Sequence, residues 1–78
     1  MKNIKFTSTQ KGFFLSCGVS KETVKLIEKE RSYGLTALTK KEIADAVNDL
    51  QSALSHKKAL KYPIIERLLN ITISNFTQ

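Results

Sequence analysis

The stretch that most constrains the fold is residues 9–31, which reads as two short helices joined by a glycine turn. Gly18 stands where a chain leaving a helix often needs a positive φ, a conformation that glycine adopts without steric cost. Ser20 is a favourable N-cap for the helix that follows. Val24 and Ile27, at helical spacing, provide the face that this second helix buries. The sequence therefore predicts a helix, a tight turn and a second helix.

This stretch resembles the helix-turn-helix of the lambda repressor and Cro-like (XRE-type) regulators. The resemblance rests on a glutamine, the turn glycine, the capping serine and apolar positions in mutual register, namely Thr9-Gln10, Gly18-Val19-Ser20, Thr23-Val24 and Ile27-Glu28. It implies an all-α domain of about four helices that acts as a sequence-specific, repressor-like transcriptional regulator of bacterial or phage type. The implied partners are double-stranded DNA and a second copy in a homodimer, with no cofactor.

Parts of the chain depart from the family's pattern. Phe14 stands where the family has a small residue, so either the two helices cross at another angle or the ring turns toward another element. Gly12 lies inside the predicted first helix, where glycine costs about 1 kcal/mol relative to alanine. Residues 1–8 are too short for the helix that precedes the motif in the family. Ile4 and Phe6 alternate there with polar residues, which is typical of a short strand.

The resemblance also implies which residues contact DNA. The second helix, from about Ser20 to Lys29, would lie in the major groove with its outward residues Lys21, Glu22 and Lys25 facing base edges. Gln10 matches the family's glutamine, which holds a phosphate and braces the recognition helix. Further phosphate contacts are expected from hydroxyl groups, a helix N-terminus and basic side chains, at Thr9, Lys11, Ser20, Thr23, Lys29 and Arg31.

Some of these residues also have an interpretation without DNA. Glu22 complements the positive N-terminus of its own helix. Lys25 can pair with Glu28, and Lys29 with Glu22 or Glu28, on a solvated helix face. Both interpretations stay open at the level of the sequence.

The charge balance favours an acidic partner. Thirteen Lys and Arg against seven Asp and Glu give a net charge of +6 and an isoelectric point near 9.7. Residues 1–38 carry seven basic and three acidic groups (+4), whereas residues 39–78 carry six and four (+2), so the excess lies with the motif. Basic charge is a nonspecific signal, and lysines that merely solvate a small domain are the alternative.

Length and composition predict one domain over residues 1–78, of a size at which self-association would add stability. No apolar run approaches the ~20 residues that span a bilayer, so we expect a cytoplasmic protein without a membrane partner.

The lone Cys17 is expected in the core, and the lone His56 at a helix end on the surface. The sequence shows no nucleophile with a matching base, no recognisable pair of carboxylates and no glycine-rich phosphate loop. We therefore do not expect an enzyme.

The best-marked helix is predicted over residues 39–57. Thr39 and Glu42 form a capping-box pattern at its start. Apolar residues then recur at spacings of three and four, at Ile43, Ala46, Val47, Leu50, Ala53 and Leu54, with Asp45, Asp49 and Gln51 on the other side. This pattern predicts a core helix that packs on the motif.

The C-terminal segment, residues 62–76, is strongly apolar. Pro63 marks the start of a short helix, and the alternation over residues 71–76 is typical of a strand. This surface can close the core, form a dimer contact, or do both. The candidate dimer contacts are Ile64, Ile65, Leu68, Leu69, Ile71, Ile73 and Phe76. The same segment supports a rival function, that of a small helical protein-interaction module such as an antitoxin, anti-repressor or assembly factor.

Overall fold

A computed structural model describes residues 5–77, and over these residues the chain forms five α-helices. They are α1 (Ser8–Ser16), α2 (Lys21–Tyr33), α3 (Lys40–Ala53), α4 (Lys57–Lys61) and α5 (Pro63–Phe76), with a 3₁₀ turn at Leu35–Ala37. No strand occurs between residues 5 and 77, so the all-α class is confirmed. None of the helices described is long and apolar enough to cross a membrane.

The turn between α1 and α2 has the predicted geometry. Gly18 adopts a φ of 87°. The Val19 N–H donates to the Phe14 carbonyl at 3.1 Å, an acceptor at the end of α1 that it shares with the Cys17 N–H. Ser20 caps α2, with its hydroxyl oxygen accepting from the Thr23 N–H at 3.3 Å. The glycine and serine signals in the sequence thus fix a tight connection between the two helices.

The centre of the core lies between α2, α3 and α5. Each contributes one large, fully enclosed side chain: Ile27, Leu50 and Leu69 are all 0% exposed. Ala46 and Ala53 of α3 are also buried, and the small side chains let neighbouring helices approach. The prediction that α3 is a core helix is confirmed, as is the Thr39–Glu42 capping box at its start.

An aromatic cluster closes the core beside α1. The Phe14 ring is buried and stacks on Phe6 at 5.7 Å, with Phe13 packed edge-on at 5.0 Å. The Phe6 N–H donates to Oε2 of Glu28, which ties the N-terminal segment to α2. Phe14 therefore turns toward another element, the chain before α1. Residues 5–7 form no strand, and the predicted strand position Ile4 lies outside the described residues.

The third helix ends earlier than predicted. It stops at Ala53, whereas the sequence indicated a helix through residue 57. Two tight bonds, from Ser55 N–H to the Ser52 carbonyl and from His56 N–H to the Ala53 carbonyl, turn the chain out of the helix. His56 then caps α4 by accepting from the Lys58 N–H at 3.2 Å, so its predicted place at a helix end is correct.

The predicted C-terminal strand is wrong, because α5 continues to Phe76. Leu69, Thr72 and Phe76, at helical spacing, all point into the core. The buried Thr72 hydroxyl donates to the Leu68 carbonyl at 2.8 Å, so it needs no partner outside its own helix. Core closure by this segment is confirmed. Pro63 at the first turn of α5 is where the sequence indicated a helix start.

Candidate nucleic-acid interface

The outward side of α2 carries a row of lysines. Lys21, Lys25 and Lys29 follow one another at four-residue intervals, and all three are exposed. Residues three and four apart in a helix are neighbours, so their ammonium groups share one side. We call Lys21, Lys25 and Lys29 the lysine row. The opposite side of α2, with Val24 and Ile27, is buried in the core.

A shallow groove of about 290 Å³ runs beside this row, between α1 and α2. Lys11 of α1 lines it together with Lys21 and Lys25 of α2, so three lysine side chains border one concavity. The remaining lining residues are Leu15, Val24 and Glu28. The carboxylate of Glu28 is engaged by the Phe6 N–H. The groove is therefore bordered by three cationic side chains, which suits an anionic ligand.

Local energetics disfavour this arrangement in the isolated protein. Like charges at four-residue intervals on a helix each cost a few tenths of a kcal/mol. Lys21 also opens α2, where the helix dipole favours acidic residues. Glu22 in the same turn complements that dipole and is exposed beside the row. Glu22 also stands three residues before Lys25, and the charge of Lys29 acts on Glu42, so acidic neighbours offset part of the repulsion within the row.

Two residues predicted to contact DNA belong to the cap of α2. Thr23 is only 4% exposed and accepts from the Ser20 hydroxyl at 3.1 Å, so it cannot reach a phosphate. The Ser20 N–H donates to Oδ2 of Asp49 at 2.8 Å. This bond ties the turn to α3. The burial of Thr23 removes it from the predicted interface, whereas Ser20 is exposed there and stays a predicted contact.

Three other predicted residues lie on a different groove. Thr9, Gln10 and Arg31 line a space of about 270 Å³ between α1 and α5, away from the lysine groove. Oε1 of Gln10 accepts from the Thr7 N–H at 2.9 Å and completes a capping box for α1. The Arg31 guanidinium lies 5.0 Å from the centre of the Phe6 ring. In this conformation these residues support the N-terminal part of the fold.

The far end of the lysine row faces α3. The Thr39 N–H lowers the pKa of Glu42 by donating to its carboxylate at 2.9 Å, and the positive charge of Lys29 lowers that pKa further. The electrostatic influence of Lys29 on Glu42 distinguishes it from Lys21 and Lys25, which line the groove.

The structure adds two lysines that the sequence did not single out. A Cβ built on Gly18 would lie 3.6 Å from Cδ2 of His56, so the start of α4 adjoins the turn of the motif. The exposed Lys57 and Lys58 follow His56 directly and bring their charges to the same end of the molecule. The sequence shows the Lys-Lys pair, but it does not indicate the break after α3 that places this pair near the turn of the motif.

The candidate dimer contacts divide between core and surface. Leu69 and Phe76 are buried in the core, and Ile65 and Ile73 are partly buried against it. They therefore stabilise the monomer and expose little surface to a partner. The strongly exposed members are Ile64, Leu68 and Ile71.

The predicted core position of Cys17 is confirmed, since it is 1% exposed and a free thiol.

Searches of protein-family models, of curated proteins and of solved structures found no match to this chain. The resemblance to the lambda repressor and Cro-like regulators therefore stays a prediction from residues 9–31. Any functional conclusion has to rest on the geometry and charge of the site itself.

Proposed function

We propose that this protein is a DNA-binding regulator of the repressor type, which inserts the first half of α2 into the major groove. The observation that carries the proposal is the arrangement of Lys11, Lys21 and Lys25 around one groove at a tightly capped helix-turn-helix. The proposal includes the cytoplasm as its compartment, where the free thiol of Cys17 would stay reduced.

The proposed roles follow from position. Lys21 and Lys25 lie on the exposed side of α2 near its start, where the recognition helix of such motifs meets base edges. A lysine there can donate to O6 and N7 of guanine, and Glu22 can accept from N4 of cytosine. Lys11, Lys57 and Lys58 would contact phosphates on either side. These contacts would position the helix without reading sequence.

Binding would relieve the electrostatic cost described above. Phosphates placed between the lysines replace ammonium–ammonium repulsion with attraction, and the counterions that leave the DNA contribute favourable entropy. Asp49 anchors the turn and Glu28 anchors the N-terminal segment. The two helices therefore have fixed positions before DNA binds. Little ordering of the backbone would then be needed on binding.

The test is fluorescence anisotropy with a labelled duplex of mixed sequence, titrated at several salt concentrations. We expect affinity to fall steeply with salt. The double variant Lys21→Ala, Lys25→Ala should weaken binding by about tenfold or more.

The matched control is Lys40→Ala, Lys41→Ala, which removes the same charge from exposed positions at the start of α3. We expect this pair to change affinity by less than about threefold, through long-range charge alone. Equal losses in both double variants would reduce the proposal to nonspecific attraction. No binding at low salt by a folded protein would overturn it and favour the protein-interaction module, for which the exposed side chains of α5 are the supporting observation.

A further inference from the structure

The groove between α1 and α5 combines apolar walls with a guanidinium group. Its volume is about 270 Å³, and its apolar lining includes Phe13 of α1 and the exposed Leu68 and Ile71 of α5. Its polar lining includes Thr9, Gln10 and Arg31. Small-molecule sites in proteins have this composition, with mostly apolar walls and a few polar groups that fix the orientation of the ligand.

The guanidinium of Arg31 is held in place without a carboxylate. It lies over the Phe6 ring, 5.0 Å from the ring centre, and within residues 5–77 no acidic side chain forms an ion pair with it. Glu28, three residues earlier on α2, accepts from the Phe6 N–H instead. An arginine that packs on an aromatic ring keeps the N–H donors at its edge, and these donors match the two oxygens of a carboxylate.

The charges around the groove favour an anion. No acidic residue lines it. Thr9 and Gln10 belong to the first turn of α1, which contains no acidic residue, so the helix dipole adds positive potential there. Arg67 is exposed one turn before Ile71 on α5 and brings a second positive charge to that side. The acidic residue of α5, Glu66, lies about 160° around the helix from Leu68.

The polar groups gather at one end of the groove. The bond from the Phe6 N–H to Glu28 and the packing of Arg31 on Phe6 place the guanidinium near the start of α1. Oε1 of Gln10 accepts from the Thr7 N–H, so the side-chain NH₂ group of Gln10 remains as a donor. Phe13 lies one turn further along α1. A ligand with an anionic head and an apolar body therefore matches the groove.

The size of the groove limits this ligand to a small molecule. An enclosed apolar cavity of about 150 Å³ holds one benzene molecule. The groove, at about 270 Å³, therefore has room for a ring, or a short acyl chain, together with a carboxylate.

We propose that the α1–α5 groove binds a small monocarboxylate with an aryl or short acyl body. The carboxylate accepts from Arg31 and from the NH₂ group of Gln10, and the body packs against Phe13, Leu68 and Ile71. This site goes beyond the proposed function, because it shares no lining residue with the lysine groove and its ligand is not a nucleic acid.

The first test is a nuclear magnetic resonance titration of the protein with 3-phenylpropanoate, without DNA and at constant salt. We expect saturable shifts of the backbone N–H resonances of Thr9, Phe13 and Ile71. The dissociation constant should be about 1 mM, as befits a ligand with so few atoms. The uncharged 3-phenylpropanamide has the same body and should bind at least about fivefold more weakly, because it lacks the charge-assisted hydrogen bonds.

The role of Arg31 is tested by Arg31→Gln. We expect this variant to bind 3-phenylpropanoate about tenfold more weakly, because it loses the charge and the paired donors. Its affinity for 3-phenylpropanamide should change by less than about twofold, which shows that the groove is intact. Arg67→Gln is the matched control, since it removes the same charge from a residue that does not line the groove. It should weaken carboxylate binding by less than about twofold.

The apolar wall is tested by Ile71→Glu. Its carboxylate would pair with Arg31 and repel the ligand, so we expect the saturable shifts with 3-phenylpropanoate to disappear. Asn70→Glu adds the same charge at an exposed position about 100° around α5 from Ile71. It should weaken binding by less than about threefold, through long-range charge alone.

Three outcomes would overturn the proposal. They are the absence of saturable shifts with 3-phenylpropanoate, equal affinity for the carboxylate and the amide, and shifts centred on Lys21 and Lys25. The last would show that the anion binds at the lysine groove instead. Because the titration contains no DNA, its failure leaves the proposed function standing, and a protein that binds 3-phenylpropanoate but no duplex would retain this site without that function.

Discussion

Two helices of this protein carry exposed rows with nearly the same spacing and opposite chemistry. On α2 the row consists of Lys21, Lys25 and Lys29, whereas on α5 it consists of Ile64, Leu68 and Ile71. Each row lies on a helix whose other side contributes to a shared core, with Ile27 from α2 and Leu69 from α5. The two helices are thus alike in how they are held and differ in what they present to solvent.

The difference shows that each row is unfavourable to the isolated monomer for its own reason. The lysine row repels itself, and this repulsion weakens with added salt. The exposed side chains of Ile64, Leu68 and Ile71 order water, and added salt does not relieve that cost. DNA, the partner proposed for the lysine row, should therefore dissociate as salt rises.

The largest expected effect comes from removing Phe14 from the aromatic cluster beside α1. Phe14→Ala would leave a cavity beneath Phe6 and Phe13 and should lower the free energy of unfolding by about 3–5 kcal/mol. For a domain of this size that is a large share of the total. Denaturant unfolding followed by circular dichroism measures the loss.

The control for this variant is Leu15→Ala on the same helix. Leu15 is 40% exposed, so its truncation should cost less than about 1 kcal/mol. If Phe14→Ala cost as little as Leu15→Ala, the stacking of Phe14 on Phe6 would not be what closes the core near α1.

A smaller effect is expected from the geometry of the turn. Gly18→Ala should destabilise the protein by about 1–2 kcal/mol, because Gly18 has a φ of 87° and an alanine there is strained. Gly12→Ala makes the same chemical change inside α1, where a Cβ meets nothing within 4 Å. It should stabilise the helix by about 0.5–1 kcal/mol. Thermal unfolding of the two variants should shift the midpoint in opposite directions, and shifts of the same sign would contradict this account.

The parts of the fold that the sequence predicted are those with short-range signals. The Gly18 turn, the Ser20 cap, the Thr39–Glu42 box and the Pro63 start each depend on residues within a few positions of one another. Such signals act through local backbone hydrogen bonds, so they can be recognised without knowing what packs nearby.

The wrong or missing predictions depend on distant partners. The tether from Phe6 to Glu28 spans 22 residues, and nothing near Phe6 in the sequence indicates it. The alternation over residues 71–76 is typical of a strand in isolation, but packing of Thr72 and Phe76 against the core favours a helix. Tertiary contacts decide such cases, and a single sequence does not specify them.

The candidate site divides in the same way. The exposure of Lys21 and Lys25 follows from the helical period of α2 alone, so the sequence sufficed to predict it. The burial of Thr23 and the position of Arg31 over Phe6 depend on where α3 and the N-terminal segment pack. The sequence could therefore indicate the lysine row, but it could not show which residues near that row are exposed to solvent.

The smallest expected effects concern the far end of the lysine row. Lys29 acts on Glu42, whereas Lys25 lines the groove, so Lys29→Ala should weaken DNA binding by less than about twofold and Lys25→Ala by several-fold. Lys29→Ala should also raise the pKa of Glu42 slightly. That pKa should stay below its ordinary value, because the Thr39 N–H, the larger cause of the lowering, remains in place.

The sign of the pH effect follows from this lowering. A carboxylate whose pKa is lowered in the folded state contributes stability above its unfolded pKa and loses it as pH falls through the folded value. In Lys29→Ala this loss should begin at a slightly higher pH than in the original chain. Nuclear magnetic resonance titration of the Glu42 carboxyl measures the shift, and anisotropy measures the binding. If Lys29→Ala weakened DNA binding as much as Lys25→Ala, Lys29 would contact DNA as Lys21 and Lys25 are proposed to do. Its interaction with Glu42 would then not exclude it from the DNA-binding surface.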